Sequence, residues 1–174
     1  MIEPQPIYGF GFFYMHRSGL VDQIIIFEYW DPDHYYEEVI RNEDKLRGEI
    51  EKLFSNMQYY LDQEKVLING IDADPRVVSV DIGLKGKPEI AYIVFHIVFK
   101  GELKRGVNVY ENIYEEEIAE YEYVVYWFFP ENVKVLRAEV GVPYYIENDG
   151  RTLFFKVKPG TRVGGREAIY FQLE

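Results

Sequence analysis

The sequence predicts an α+β fold, mostly antiparallel β with one long amphipathic helix. Three observations predict it. Residues 7–16 and 20–30 are two apolar, strand-like runs. Apolar residues between Tyr36 and Leu61 switch to the three/four spacing of a helix face. After Asp62 the period becomes two and stays there. The expected order is an N-terminal hairpin, the helix, then roughly six to eight antiparallel strands, as a curved antiparallel sheet or a β-sandwich. One domain, 1–174, is expected, with a subdivision into 1–62 (hairpin plus helix) and 63–174 (antiparallel β) as the alternative.

Each element has its local reason. Ser18-Gly19 suits the turn of the first hairpin. The second strand is apolar on both faces around Ile24, Ile25, Ile26 and Phe27, which marks a central, doubly covered strand. In "WDPDHYYEE", Asp31 suits a helix N-cap and Pro32 the first helical position. The helix stripe is Tyr36, Val39, Ile40, Leu46, Ile50, Leu53, Phe54, Met57, Tyr60 and Leu61, with a bend or break expected near Asn42. If continuous it spans about 30 residues and about 45 Å. The preceding hairpin is its nearest apolar partner. Asn69-Gly70, "KGKP", "NDG", "KPG" and the Gly164-Gly165 pair then punctuate the strands. The segments "GVNVYENIY" and "AEYEYVVYWFF" read as a hairpin around the acidic run Glu115 to Glu117, and Pro130 ends the second of them.

The first strand carries two glycines between aromatics, "IYGFGFFYMH". Alternation puts Gly9 and Gly11 on one face and Tyr8, Phe10, Phe12 and Tyr14 on the other. A strand loses stability to glycine unless a close approach or a bulge needs it. The pair therefore either admits a closely packed helix and strand coiling, or forms the floor of a pocket beneath the helix. It is not a dinucleotide fingerprint, since Tyr14 stands at the third glycine position.

Composition narrows the chemistry. The 174 residues include no cysteine, which removes disulfides, thiolate nucleophiles and thiolate metal clusters. Ser18, Ser55, Ser79, Thr152 and Thr161 are the only hydroxyl residues of their kind, so serine-based acyl transfer is disfavoured. A net charge of −11 repels phosphate backbones and argues against nucleic acid as a partner. Arg151, Lys156, Lys158, Arg162 and Arg166 read as a solvated face. No run of about 18 uncharged apolar residues occurs, and "MIEPQPIYG" lacks a signal-peptide pattern, so a cytoplasmic location without membrane association is expected. High Glu, Lys, Ile and Tyr without Cys matches thermophile usage.

Candidate functional residues are few. His34, Glu37 and Glu38 stand together in the first helical turn as weak metal ligands, set against the ordinary dipole role of acidic residues there. His96 lies among valines on its strand face, and His16 ends a strand at a rim. Trp30, Trp127 and sixteen tyrosines give aromatic surface beyond what one core needs. The carboxylates of residues 111–122 could pair as a glycosidase acid and base, but charged edge strands have the plainer role of blocking association. No catalytic residue and no cofactor is assigned, and the enzyme question leans to no. The leading expectation is a non-enzymatic binding or scaffolding module acting through an aromatic-rich β surface, with an unknown partner and self-association as a homodimer. The alternatives are a small-molecule pocket, enzymatic or not, between the helix and Gly9/Gly11, with His16, His96, Trp30 and Trp127 as candidate ligand contacts, and a carbohydrate-binding module.

Overall fold

The computed structural model describes residues 1–174. Its elements are β1 (Gln5–Met15), β2 (Leu20–Trp30), α1 (Tyr35–Arg41), α2 (Glu43–Gln63), β3 (Lys65–Ile68), β4 (Ile71–Asp72), β5 (Arg76–Leu84), β6 (Ile90–Lys100), β7 (Gly106–Ile118), β8 (Glu122–Phe128), β9 (Val133–Glu139), β10 (Tyr144–Glu147), β11 (Thr152–Val157) and β12 (Arg162–Leu173). The strands form two sheets. A seven-stranded sheet runs β10-β11-β8-β1-β2-β6-β5, and a five-stranded sheet runs β4-β3-β7-β12-β9. The chain is thus mostly β with two helices.

The single long helix is corrected to two. Asn42 leaves helical geometry at φ −118°, ψ 113°, and its side chain accepts from the Lys45 backbone N–H, so it caps α2 where α1 stops. Asp31 is fully buried and accepts from the backbone N–H groups of both Tyr35 and Tyr36, satisfying two orphan donors of α1. The buried stripe is narrower than its sequence pattern. Tyr36, Val39 and Leu61 are buried, whereas Phe54 and Tyr60 face solvent. Gly48 has open space where a Cβ would go, so Gly48→Ala is expected to stabilise the chain by about 1 kcal/mol, read as a raised denaturation midpoint.

The helices pack chiefly on the later strands. Tyr36 and Leu61 join Val77, Ile82, Ala91, Ile93, Phe95 and Ile97 of β5 and β6, with Ile25 and Phe27 of β2 at the margin. A second cluster joins the two sheets: Phe13, Met15, Val21, Phe99, Trp127 and Leu153 meet Val66, Ile68, Tyr110, Val135, Ile169 and Phe171. Phe13 stacks on Trp127 at 4.3 Å and 6°, and Tyr110 lies 4.6 Å from the same indole. Residues 91, 93, 95, 97 and 99 are buried along β6, and the helices cover most of that face before the second sheet takes over at Phe99.

Three further expectations are corrected. β8 pairs with β1 in parallel, so the large sheet is not wholly antiparallel. β7 and β8 belong to different sheets, because the chain crosses over through residues 119–121 instead of turning back. Gly164-Gly165 is a bulge inside β12 opposite Glu116. At Gly164 φ is +101°, and a Cβ would sit 2.6 Å from the Glu115 carbonyl oxygen, so only glycine fits. Asn69-Gly70 does turn β3 into β4, both residues with positive φ.

Candidate ligand-binding site

Alternation carries the glycines inward. On the inner face of the large sheet Gly9 lies between Phe27 of β2 and Tyr123 of β8, and Gly11 between Ile25 and Val125. Two glycines flanked by large side chains leave a trench. A Cβ on Gly9 would come within 3.1 Å of the Tyr123 Cβ, so glycine there permits a close approach. A Cβ on Gly11 would meet only ordinary contacts at 3.7 Å, with Phe13 and Val125.

Above the trench lies a cavity of about 300 Å³. Its roof is the second sheet, not the helix. β7 contributes Tyr110, Asn112 and Tyr114, and β12 contributes Glu167 and Ile169. Register sets these groups over one another: Glu167 stands opposite Asn112, and Ile169 opposite Tyr110. Glu64, the C-cap of α2, closes one side, with Glu117 near the end of β7 and Tyr121 from the crossover. The cavity sits where the three apolar clusters of the chain meet.

Its electrostatics are one-sided. The Tyr114 hydroxyl donates to Glu167 Oε1 at 2.8 Å. Burial pushes the Glu167 carboxyl up, and that hydrogen bond offsets part of the rise. Glu64 is pushed up to about 7, first by burial and then by the charges of Glu167 and Glu117, with Asn112 offsetting part. Burial likewise raises Tyr110, Tyr114 and Tyr123. The Asn112 Oδ1 atom is buried and has no hydrogen-bond partner.

Glu64 ties stability to pH. Its folded value lies above its ordinary 4.5, so the proton is held more tightly folded than unfolded. The contribution is complete below pH 4.5 and is lost as pH rises through about 7. With part of the group solvated it amounts to about 2 kcal/mol. Urea midpoints of the unliganded chain are expected to fall from pH 5 to pH 8, and the fall should shrink in Glu64→Gln. An unchanged slope in that variant would contradict the assignment.

The sequence-predicted residues divide by face. Gly9, Gly11 and Trp127 line the cavity. His16 and His96 do not, since they sit on the opposite face of the large sheet. There Asp22 joins them, with Oδ2 at 2.6 Å from His16 Nε2 and Oδ1 at 2.7 Å from His96 Nε2. Those bonds, His16 first, hold the Asp22 carboxyl below its ordinary range. Trp30 ends β2 with 43% of its surface exposed and touches no part of the cavity. His34, Glu37 and Glu38 are not gathered. His34 caps α1 in left-handed geometry, outside the helix, and lies 3.4 Å from both Glu37 and Glu89, while Glu38 turns to Lys45. The basic C-terminal residues also part company: Arg166 pairs with Glu111 and Glu139, and Arg162 with Glu116.

Sequence reasoning missed Glu64, Asn112, Tyr114 and Glu167. One signal was available. Glu167 shares a strand face with Ile169 and Phe171, both buried, so it is a carboxylate on an apolar face.

No protein-family model matches the chain, and no curated protein matches it. Among solved structures, the folded domain of LppM from Mycobacterium tuberculosis is similar over 99% of this chain and 93% of that one, at 9% identity and a TM-score of 0.46. An aminopeptidase N family protein from Idiomarina loihiensis is similar over 93% of this chain and 29% of its own length, at 9% identity and a TM-score of 0.42.

Proposed function

We propose that the chain is a binding protein that holds a small molecule with an apolar body in the cavity between its sheets. One observation carries the reading: a trench made by two glycines in an otherwise aromatic strand opens into about 300 Å³ of space walled by aromatic side chains. Concave sites with apolar walls and a few converging polar groups are the usual form of a ligand pocket. Glycine weakens a strand, so two of them beneath empty volume favour a use for that volume. The test is titration with N-phenyl-1-naphthylamine, a neutral dye that brightens in apolar surroundings. Saturable binding is expected, lost in Gly11→Leu. Absent binding, or binding unmoved by that variant, overturns the reading.

A second reading concerns the outer face of the large sheet and a second copy of this chain. Its motivation is a continuous ladder of rings. Tyr8 lies 4.9 Å from Phe10, Phe12 lies 5.8 Å from Tyr126, and Phe154 lies 5.3 Å from Tyr126 and 5.2 Å from Tyr145. Seven strands span about 30 Å, and with strand lengths near 30 Å the face offers roughly 900 Å², against about 800 Å² per partner in a standard interface. Sedimentation velocity over a concentration series is expected to show a dimer that Phe12→Glu dissociates. A monomer throughout would sink it.

A further inference from the structure

We propose that the occupant of the inter-sheet cavity is an organic cation, an ammonium group on an apolar body. This rests on the reading that the cavity binds a small molecule, and it adds the ligand's charge. The cavity is lined by Glu64, Glu117 and Glu167, and no lysine, arginine or histidine lines it. None of the three carboxylates forms an ion pair elsewhere in the chain, whereas Glu111 of β7 and Glu139 of β9, the strands beside β12, both pair with Arg166. Carboxylates removed from water are ordinarily paired or neutralised. Glu64 and Glu167 are half-buried and Glu117 is exposed, and no cation of the protein lines the space they share, so the charge that balances the two half-buried carboxylates comes with the ligand.

Three more features agree. Asn112 Oδ1 is a buried acceptor without a donor, which an ammonium N–H satisfies. The walls are aromatic, with Phe27, Tyr121, Tyr123 and Phe155 among them, and ring faces attract cations in desolvated sites. The chain's net charge of −11 draws cations toward it and repels anions. A bare metal ion fits poorly, because hard cations need a full shell of oxygen ligands and these walls are largely carbon.

Binding such a ligand must ionise Glu64, whose charge is opposed by Glu167 and Glu117 and whose neighbours on β7 are Tyr110 and Tyr114. Cation binding therefore releases a proton near neutral pH and strengthens as pH rises.

The experiment compares 2-phenylethylammonium with 2-phenylethanol, which has similar shape and no charge, by calorimetry of the full chain at pH 7 in buffers of different ionisation enthalpy. A preference of about tenfold or more for the ammonium is expected, weaker at pH 5.5 and in high salt. Proton release should accompany the ammonium only. Glu167→Gln and Glu64→Gln should each remove most of the preference for the ammonium over the alcohol. Equal or tighter binding of the alcohol, or no ammonium binding where the naphthylamine still binds, overturns the cation and leaves the cavity reading standing. If neither the amine nor the naphthylamine binds, both fall.

Discussion

Trp127→Ala is expected to cost about 3–5 kcal/mol of stability. The indole is 2% exposed and lies between the sheets, stacked on Phe13 at 4.3 Å, with Tyr110 at 4.6 Å and Phe129 at 5.6 Å. It belongs to the large sheet through β8, yet two of its contacts come from elsewhere, Tyr110 on β7 and Phe129 in the following turn. Truncation removes aromatic contacts to both sheets and leaves a void beside a space that is already open. The surroundings have little freedom to collapse into it, because the neighbouring strands are pinned by their ladders. The denaturation midpoint should fall with the m-value unchanged. A loss below about 1 kcal/mol would mean that the sheets do not depend on this contact.

Gly11→Leu is expected to abolish binding in the cavity while keeping the fold. A Cβ at this position meets Phe13 and Val125 only at 3.7 Å, and Gly11 has no left-handed φ to strain. The added side chain grows into the open volume and removes a large part of it. Filling apolar space also stabilises, so the melting temperature should hold or rise as affinity falls by a hundredfold or more. Gly9→Ala is the contrast: its Cβ would press on the Tyr123 Cβ at 3.1 Å, so it should cost stability without filling the trench. A Gly11→Leu chain that binds normally would place the ligand elsewhere.

Local chemistry was legible in the sequence, and long-range pairing was not. The break at Asn42, the Asn69-Gly70 turn and the inward face of Gly9 and Gly11 follow from side chains and their immediate neighbours. The roof of the cavity depends on which strand lies over the trench, and no local pattern encodes that. The alternation of Tyr121, Tyr123, Val125 and Trp127 favours a hairpin of β7 with β8, but alternation marks a strand without naming its partner, and the two lie in different sheets. Glu64 looked like any acid at the end of a helix, and becomes distinctive only when Glu167, about a hundred residues later, is folded against it. The aromatic excess was legible as an excess, and the structure divides it into rings that line the cavity and rings that form the outer ladder.

The parallel pairing of β1 with β8 has a consequence in time. Tyr8 stands beside Glu122, so the central strand of the large sheet gains its second neighbour only after more than a hundred further residues exist. At about 5–20 residues per second, a ribosome takes roughly 5–20 s to make them. Until β6 and β8 are made, β1 and β2 are a hairpin with apolar side chains on both faces and two open edges. The acidic residues that follow it, Asp31, Asp33, Glu37 and Glu38, are the first solubilising charges to emerge behind it.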